Sequence, residues 1–319
     1  MPKIFITRQI PEVGISLLKD KDYDVSVGPE GGISREELLE GVKGANAILS
    51  VLTEKIDGEV MDAAGSQLKI IANYAVGYNN IDVAEAKKRG IMATNTPGVL
   101  TDTVADHAIG LILAIAQRIV EADKYTRAGK YKVWGPKLFL GGDIKGKTLG
   151  IVGLGRIGFA VAERLMKGFD MKIIYYDIKR NEKLEEEYGL EYREIGDLLK
   201  EADFVSLHTA LTDETKHLIN AERLGLMKSD AYLINTSRGP IVDEKSLVEI
   251  LRNKGIAGAA LDVFENEPEL APGLTELDNV ILTPHIASAT VGTRNKMAEM
   301  AANNIIAALE GQIPANLVE

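Results

Sequence analysis

An arginine, a glutamate and a histidine each stand just beyond a short apolar run in this sequence. Arg238 follows Leu233-Ile234-Asn235-Thr236-Ser237 and precedes Gly239-Pro240. Glu267 lies in Leu261-Asp262-Val263-Phe264-Glu265-Asn266-Glu267-Pro268, and His285 in Leu282-Thr283-Pro284-His285-Ile286-Ala287-Ser288. If the apolar runs are strands of a doubly wound sheet, all three sit at carboxyl ends, where such sheets place their ligands. Hydride transfer to a ketone needs this kind of set. A proton donor meets the oxygen, a cation holds the substrate carboxylate and polarises the carbonyl, and a third group sets the donor's charge. A guanidinium suits the carboxylate. A glutamate beside the imidazole would stabilise its charged form. Each residue also has a plainer role open to it: Arg238 as a cap or salt-bridge partner, Glu267 as loop decoration.

The chain has four histidines. His107 falls in an apolar helical pattern and His217 beside the charged run Asp213-Glu214-Thr215-Lys216, so both read as structural or surface residues. His208 ends the run Phe204–Leu207 and could line a cofactor site.

Gly153-Leu154-Gly155-Arg156-Ile157-Gly158 follows the apolar run Thr148–Val152 and opens a helical pattern, the context in which a G-x-G-x-x-G signals dinucleotide binding. Gly153 would permit the tight turn, Gly155 the approach of a pyrophosphate, and Gly158 close packing of helix on strand. The helix N-terminus offers N–H groups to the anion. Asp177 ends the next run, 24 residues after Gly153, where an acidic residue would bind ribose hydroxyls. A carboxylate there favours NAD over NADP by repelling a 2′-phosphate; Lys179 and Arg180 nearby would soften that choice.

These groups need sheets to position them. Apolar runs alternate with helical patterns throughout, which predicts parallel sheet covered by helices. Expected strands in the first part are Lys3–Thr7, Asp24–Val27, Ala47–Ser50, Lys69–Ala72 and Ile91–Ala93. A second series comprises Thr148–Val152, Lys172–Asp177, Asp203–Leu207, Ala231–Asn235, Ile256–Leu261 and Val280–Leu282. The fold class is therefore α/β, with two doubly wound parallel-sheet domains. Ser34-Arg35-Glu36-Glu37 has capping-box spacing before a helix over 34–42. The turn cluster Asn95-Thr96-Pro97-Gly98 marks a boundary. One long helix is expected from Thr101 to Arg127, apolar nearly all round, which suits burial in its own domain or at a subunit interface. The last helix, about Thr290 to Glu310, would cross back to the first domain.

Bulk properties agree. With 319 residues, 45% hydrophobic and 26% charged, the chain suits two globular domains. A net charge of −10 argues against nucleic acid or anionic membrane as partner. No cysteine is present, which removes disulfides and thiolate chemistry. The N-terminus shows no signal pattern, and Val104–Ala116 is too short to cross a bilayer. The expected location is cytoplasmic.

In combination and order, these motifs closely resemble the D-isomer-specific 2-hydroxyacid dehydrogenases over essentially the whole chain. Carrying the resemblance are Ala75-Val76-Gly77-Tyr78-Asn79-Asn80-Ile81-Asp82, Gly146-Lys147-Thr148-Leu149-Gly150 with its Gly-rich loop, Asn235-Thr236-Ser237-Arg238-Gly239, the Leu261–Pro268 segment, and Thr283-Pro284-His285-Ile286-Ala287-Ser288-Ala289-Thr290. It implies that Arg238, Glu267 and His285 form the catalytic set. It implies a Rossmann cofactor domain, 98–286, inserted into a flavodoxin-like substrate domain, 1–97 with 287–319, around a cleft that closes on the substrate. The amides of Val76 and Gly77 would grip the carboxylate beside Leu52 as an apolar wall. Cofactor contacts would come from Thr103, Thr215, Thr236 and Asp262, joined by Arg156, Ile157, His208, Thr209, Ser237 and Ala287 around the Gly-rich loop and strand ends.

Within the family the sequence looks most like glyoxylate and hydroxypyruvate reductases, running with NADH. An arginine would be expected in place of Asn73-Tyr74 in a phosphoglycerate dehydrogenase, and Phe-Tyr in place of Ser288-Ala289 in a D-lactate enzyme. A phosphite dehydrogenase would carry lysine where Val76 stands. Other D-2-hydroxyacid specificities, or a non-catalytic dinucleotide sensor on the same fold, are the alternatives. Family members are mostly homodimers joined through cofactor domains, and Trp134 lies in a segment that reaches a neighbouring subunit in some relatives. One departure is Ala210, where most relatives have proline in a loop bordering the cofactor.

Overall fold

Apolar runs of three to five residues are too short to be stable helices, and in the computed structural model they pair side by side as parallel strands. The structure describes residues 1–318; Glu319, the end of the expected C-terminal segment, lies outside the described residues. The chain forms two compact units, Met1–Leu100 with the segment from Ala289 onward, and Thr101–Ser288.

The first unit holds β1 (Lys3–Ile6), β2 (Asp24–Val27), β3 (Ala47–Ser50), β4 (Ile70–Asn73) and β5 (Met92–Thr94), in the order β2-β1-β3-β4-β5. That is the flavodoxin-like order. Phe5, Ile48 and Ile71 bury one face under Leu38, Val60 and Met61. The helix Arg35–Gly41 opens with the expected capping box: Ser34 Oγ accepts from the Glu37 amide, and Glu37 accepts from the Ser34 amide. The helix Val291–Leu309, capped by Thr290, packs on the helix Glu12–Lys19. A Cβ on Gly14 would lie 2.8 Å from Ala298, so the two backbones approach as closely as small residues allow.

The second unit holds β6 (Thr148–Val152), β7 (Lys172–Tyr176), β8 (Glu191–Tyr192), β9 (Phe204–Leu207), β10 (Tyr232–Asn235), β11 (Gly258–Leu261) and β12 (Val280–Leu282). Their order, β12-β11-β10-β9-β6-β7-β8, is a Rossmann sheet extended by one strand, and every pairing is parallel. Alternate residues feed opposite cores. Leu149, Ile151, Ile173 and Phe204 pack under the helices Thr101–Ala116 and Arg156–Phe169. Val152, Ile174, Val205 and Leu233 face Leu198, Leu247 and Leu251. The two-residue strand β8 was not expected, because Glu191-Tyr192 has no apolar run to announce it.

The expected single helix over 101–127 is instead two, Thr101–Ala116 and Ile119–Arg127, bent by 64°. Arg118 adopts a left-handed backbone (φ 53°), and its guanidinium binds Glu121 at 2.7 and 2.8 Å. The returning chain ends the first helix: the Gly142 amide donates to the Ala116 carbonyl at 2.9 Å. Local pattern continues through this point, so the break is a tertiary decision. Nor is the first helix apolar all round, since Asp102, Asp106 and Gly110 face solvent while Val104, Ala108, Ile112 and Ile115 are buried within the unit. Among the described residues no single helix is long and apolar enough to cross a membrane.

Candidate active site

The strand ends of the second unit place the expected groups side by side. β6 runs into the Gly-rich loop, whose neighbour across the switch in strand order is β9. Gly153 has φ 97°, and a Cβ there would lie 2.8 Å from His208 and Thr209 backbone atoms. A Cβ on Gly158 would stand 2.1 Å from the Gly153 carbonyl. Both positions therefore require glycine for packing. Gly155 differs: nothing lies within 4 Å of its would-be Cβ. It caps the helix Arg156–Phe169 beside exposed Arg156 and half-buried Ile157, leaving open space over the helix N-terminus. Asp177, just past β7, accepts from the Leu154 amide at 2.7 Å and so fixes the loop's path.

Two hydroxyls just past neighbouring strand ends, Thr209 Oγ1 after β9 and Thr236 Oγ1 after β10, are buried with no hydrogen-bond partner among the described residues. Buried polar atoms seldom go unsatisfied. An open helix N-terminus, two waiting hydroxyls and a carboxylate at the next strand end together fit a dinucleotide. His208 Nε2 lies 2.8 Å from Ser206 Oγ, and burial pushes this imidazole down to about 4, so it is neutral. Thr215 is occupied in its own loop, donating to the Ala210 carbonyl at 2.7 Å and accepting from the Thr212 amide. Thr103 lies in the first turn of the helix Thr101–Ala116.

The expected imidazole–carboxylate pair is formed. His285 Nδ1 is 2.9 Å from Glu267 Oε2. Burial pushes the Glu267 carboxyl up. The hydrogen bond and charge of His285, the Phe264 amide and the Arg238 charge outweigh this, and the net shift is down. A carboxylate held charged accepts, so Nδ1 carries the hydrogen and Nε2 is the ring nitrogen left to act on another group. His285 has φ 54°, a left-handed backbone uncommon for a side chain of this size. Asp262 holds that conformation. It is fully buried, and its carboxylate accepts from Thr283 Oγ1 (2.6 Å), the Ile286 amide (2.9 Å) and the Ala287 amide (2.7 Å). His107 braces it from behind, at 3.6 Å. Both Asp262 oxygens are thus committed to shaping the His285 loop.

Arg238 reaches Glu267's neighbourhood through glycine. A Cβ on Gly239 would fall 1.9 Å from the Phe264 carbonyl, so the arginine loop lies directly on the glutamate loop. Arg238 Nη1 donates to the Ser237 carbonyl at 2.7 Å, while Asn235 braces the same loop, accepting from the Ser237 amide and donating to the Arg238 carbonyl. Burial lowers the Arg238 guanidinium from its ordinary value and the Glu267 charge opposes that, which is the environment in which an arginine welcomes an anion. Behind this face, Glu265 Oε1 meets His217 Nε2 at 2.6 Å, and the Glu265 amide donates to Glu244 Oε1 at 2.6 Å. The charged segment around His217 gave no hint of this link, because its partner is 48 residues away.

In the first unit, half-buried Leu52 follows β3, and Val76 and Gly77 follow β4. Three successive carbonyls there are tied down. Ala75 accepts from the Thr96 amide (2.9 Å), Val76 from Asn95 Nδ2 (2.7 Å) and Gly77 from Asn73 Nδ2 (2.8 Å). In a trans peptide the N–H points opposite its C=O. Anchoring the Ala75 and Val76 carbonyls therefore turns the Val76 and Gly77 amides away from those anchors, and among the described residues neither has an acceptor. Sequence reading missed this role of Asn73 and Asn95, whose only signal is that each stands at or just past a strand end.

Comparison with known proteins agrees with this geometry. Residues 109–287 match the model for the D-isomer specific 2-hydroxyacid dehydrogenase NAD-binding domain. The chain is 54% identical to a glyoxylate reductase of Thermofilum pendens over 99% of its own length and 94% of that protein's. A Thermus thermophilus crystal structure superposes with a TM-score of 0.93 at 44% identity, covering 99% of this chain and 100% of that one. A Sinorhizobium meliloti NADPH-dependent glyoxylate/hydroxypyruvate reductase, solved with NADP and malonate, gives 0.88 at 34%, covering 99% and 96%. With strand order, Gly-rich loop, carboxylate–imidazole pair and half-buried arginine all in place, this chain belongs to the family of D-isomer specific 2-hydroxyacid dehydrogenases.

Proposed function

We propose that the protein is an NADH-dependent reductase of small 2-oxo acids, glyoxylate and hydroxypyruvate foremost, giving glycolate and D-glycerate reversibly. The observation that carries this reading is the His285–Glu267 pair at 2.9 Å, with Nε2 left for the substrate oxygen and Arg238 in the adjoining loop. Similarity to proteins named glyoxylate reductase supports the choice of acid.

A cofactor domain of about residues 98–286, close to the second compact unit at 101–288, would hold the dinucleotide, and residues 1–97 with 287–319 would form the substrate domain. Gly153, Gly155 and Gly158 with the helix N-terminus would hold the pyrophosphate, Asp177 the ribose, and Thr209 and Thr236 further polar groups of the dinucleotide. When bound, the nicotinamide supplies the hydride. Every other requirement falls to the chain. Arg238 and the amides of Val76 and Gly77 hold the carboxylate, and Leu52 gives an apolar wall. Arg238 polarises the carbonyl. His285 delivers a proton from Nε2 while Glu267 stabilises the imidazolium through Nδ1.

NAD is the better fit of the two cofactors. Asp177 offers a carboxylate where a 2′-phosphate would come, and Arg180 is taken up by Glu185 at 2.5 Å and by the Tyr192 ring rather than held ready for a phosphate. Lys179 remains as a softening charge. A homodimer would cover Ile119, Tyr131, Val133, Trp134 and Leu140, all exposed in the single chain.

The test follows NADH absorbance with glyoxylate, hydroxypyruvate, pyruvate and phosphonooxypyruvate, repeated with NADPH and with His285→Ala. The first two acids and NADH should give the highest kcat/KM, and the variant should lose about 10²–10⁴ in kcat. Binding of NADH without turnover of any acid would replace the reductase reading by a dinucleotide sensor.

A further inference from the structure

Asn73, at the end of β4, is fully buried. Its amide and that of Asn80 exchange two hydrogen bonds, Asn73 Nδ2 to Asn80 Oδ1 at 3.1 Å and Asn80 Nδ2 to Asn73 Oδ1 at 3.2 Å. Each then reaches outward. Asn73 Nδ2 holds the Gly77 carbonyl at 2.8 Å. Asn80 Nδ2 lies 3.0 Å from the Val51 carbonyl and 3.2 Å from the Glu54 carbonyl, the two ends of the turn that carries Leu52. Ser50 Oγ closes the network on Asn73 Oδ1 at 3.0 Å. From its inner side the same turn is pinned by buried Glu54, which accepts from the Val51 amide, Thr7 and Arg8.

We infer that the Asn73–Asn80 amide pair sets substrate size. It ties the loop whose amides grip the carboxylate to the turn that carries the apolar wall, and so holds the distance between grip and wall at one short value. The inference rests on the roles proposed above for Leu52, Val76 and Gly77. Only a neutral primary amide can do this job, because each side chain must donate and accept at once. An ion would have to be desolvated and could not do both. Asn73 and Asn80 are positioning residues; neither is assigned a contact with the substrate.

The experiment compares wild type with Asn80→Asp and Asn73→Asp, isosteric changes that replace donors by acceptors facing the Val51, Glu54 and Gly77 carbonyls. Leaving such groups unsatisfied should raise KM for glyoxylate roughly tenfold or more. KM for NADH should stay within about twofold, since the cofactor residues lie elsewhere. The kcat/KM ratio of phenylpyruvate to glyoxylate should rise as the wall loosens. Ser50→Ala removes one outer bond and should shift the same ratio in the same direction by less; it decides the matter if the Asp variants fail to fold. Unchanged glyoxylate KM and an unchanged ratio in the folded variants would overturn the inference while leaving the reductase reading intact. Failure of the wild type to reduce any small 2-oxo acid would remove the reading, and the inference with it.

Discussion

Both sheets carry their working loops at the carboxyl ends of parallel strands, yet they brace those loops with different chemistry. In the second unit the braces are ionisable: Asp262 under the His285 loop, Glu267 on the imidazole, Glu265 between His217 and Glu244. In the first unit the loop around Val76 and Gly77 hangs on neutral side-chain amides, those of Asn73, Asn80 and Asn95. On the roles proposed above, the difference follows from the task. Moving a proton requires groups that change charge and neighbours that tune them. Gripping a carboxylate requires only fixed dipoles, and a neutral brace keeps those dipoles in place at any pH where the substrate is ionised.

The comparison breaks most visibly at Glu267. Glu267→Gln should lower kcat on the order of 10²-fold, because the imidazolium loses its counter-charge, with little change in NADH affinity. The same variant tests stability. The Glu267 carboxyl titrates below its ordinary value of 4.5 in the folded chain. It therefore contributes stability above that value, and the contribution disappears as pH falls through the depressed folded value. Thermal melts of wild type and Glu267→Gln should accordingly converge in acid. Parallel curves down to the lowest accessible pH would place the brace elsewhere.

Smaller effects separate the packing glycines from Gly155, the glycine proposed to face the pyrophosphate. Gly158→Ala forces a Cβ against the Gly153 carbonyl and should cost about 1–3 kcal/mol in stability as well as cofactor affinity. Gly155→Ala places its Cβ in open space, so melting should hardly change while NADH binding weakens. Equal melting losses for the two would contradict the geometry.

The slightest effect near neutrality belongs to His208. Its folded value, about 4, lies below the ordinary 6.5, so the unfolded chain binds a proton first as pH falls. Stability from keeping it neutral is full above 6.5 and is lost progressively down to about 4. A His208→Gln chain should show a shallower loss of melting temperature across that window.

Much was legible in the sequence because it is local. Strand β6, the Gly-rich loop and the capping box at Ser34 are each set by neighbours within a few residues, through burial period and turn chemistry. Arg238, Glu267 and His285 stood out because each follows an apolar run, and parallel topology places such ends on one side of a sheet. The break of the helix at Arg118 did not show, since the amide that caps its end arrives from Gly142, far along the chain. Nor did the short strand β8, which is held by pairing with β7 rather than by its own composition.

What the sequence determined by itself was the alternation of strand and helix, the fold class, the cradle for an anion and the residue types able to move a proton. Tertiary structure alone decided how those residues are held: the left-handed backbone of His285 clamped by Asp262, Gly239 pressed on Phe264, and the asparagine pair that joins two loops. Periodicity and turn preference act over a few residues and can be read along the chain. Hydrogen bonds between loops depend on which strand ends become neighbours, and that is fixed only when the sheet closes.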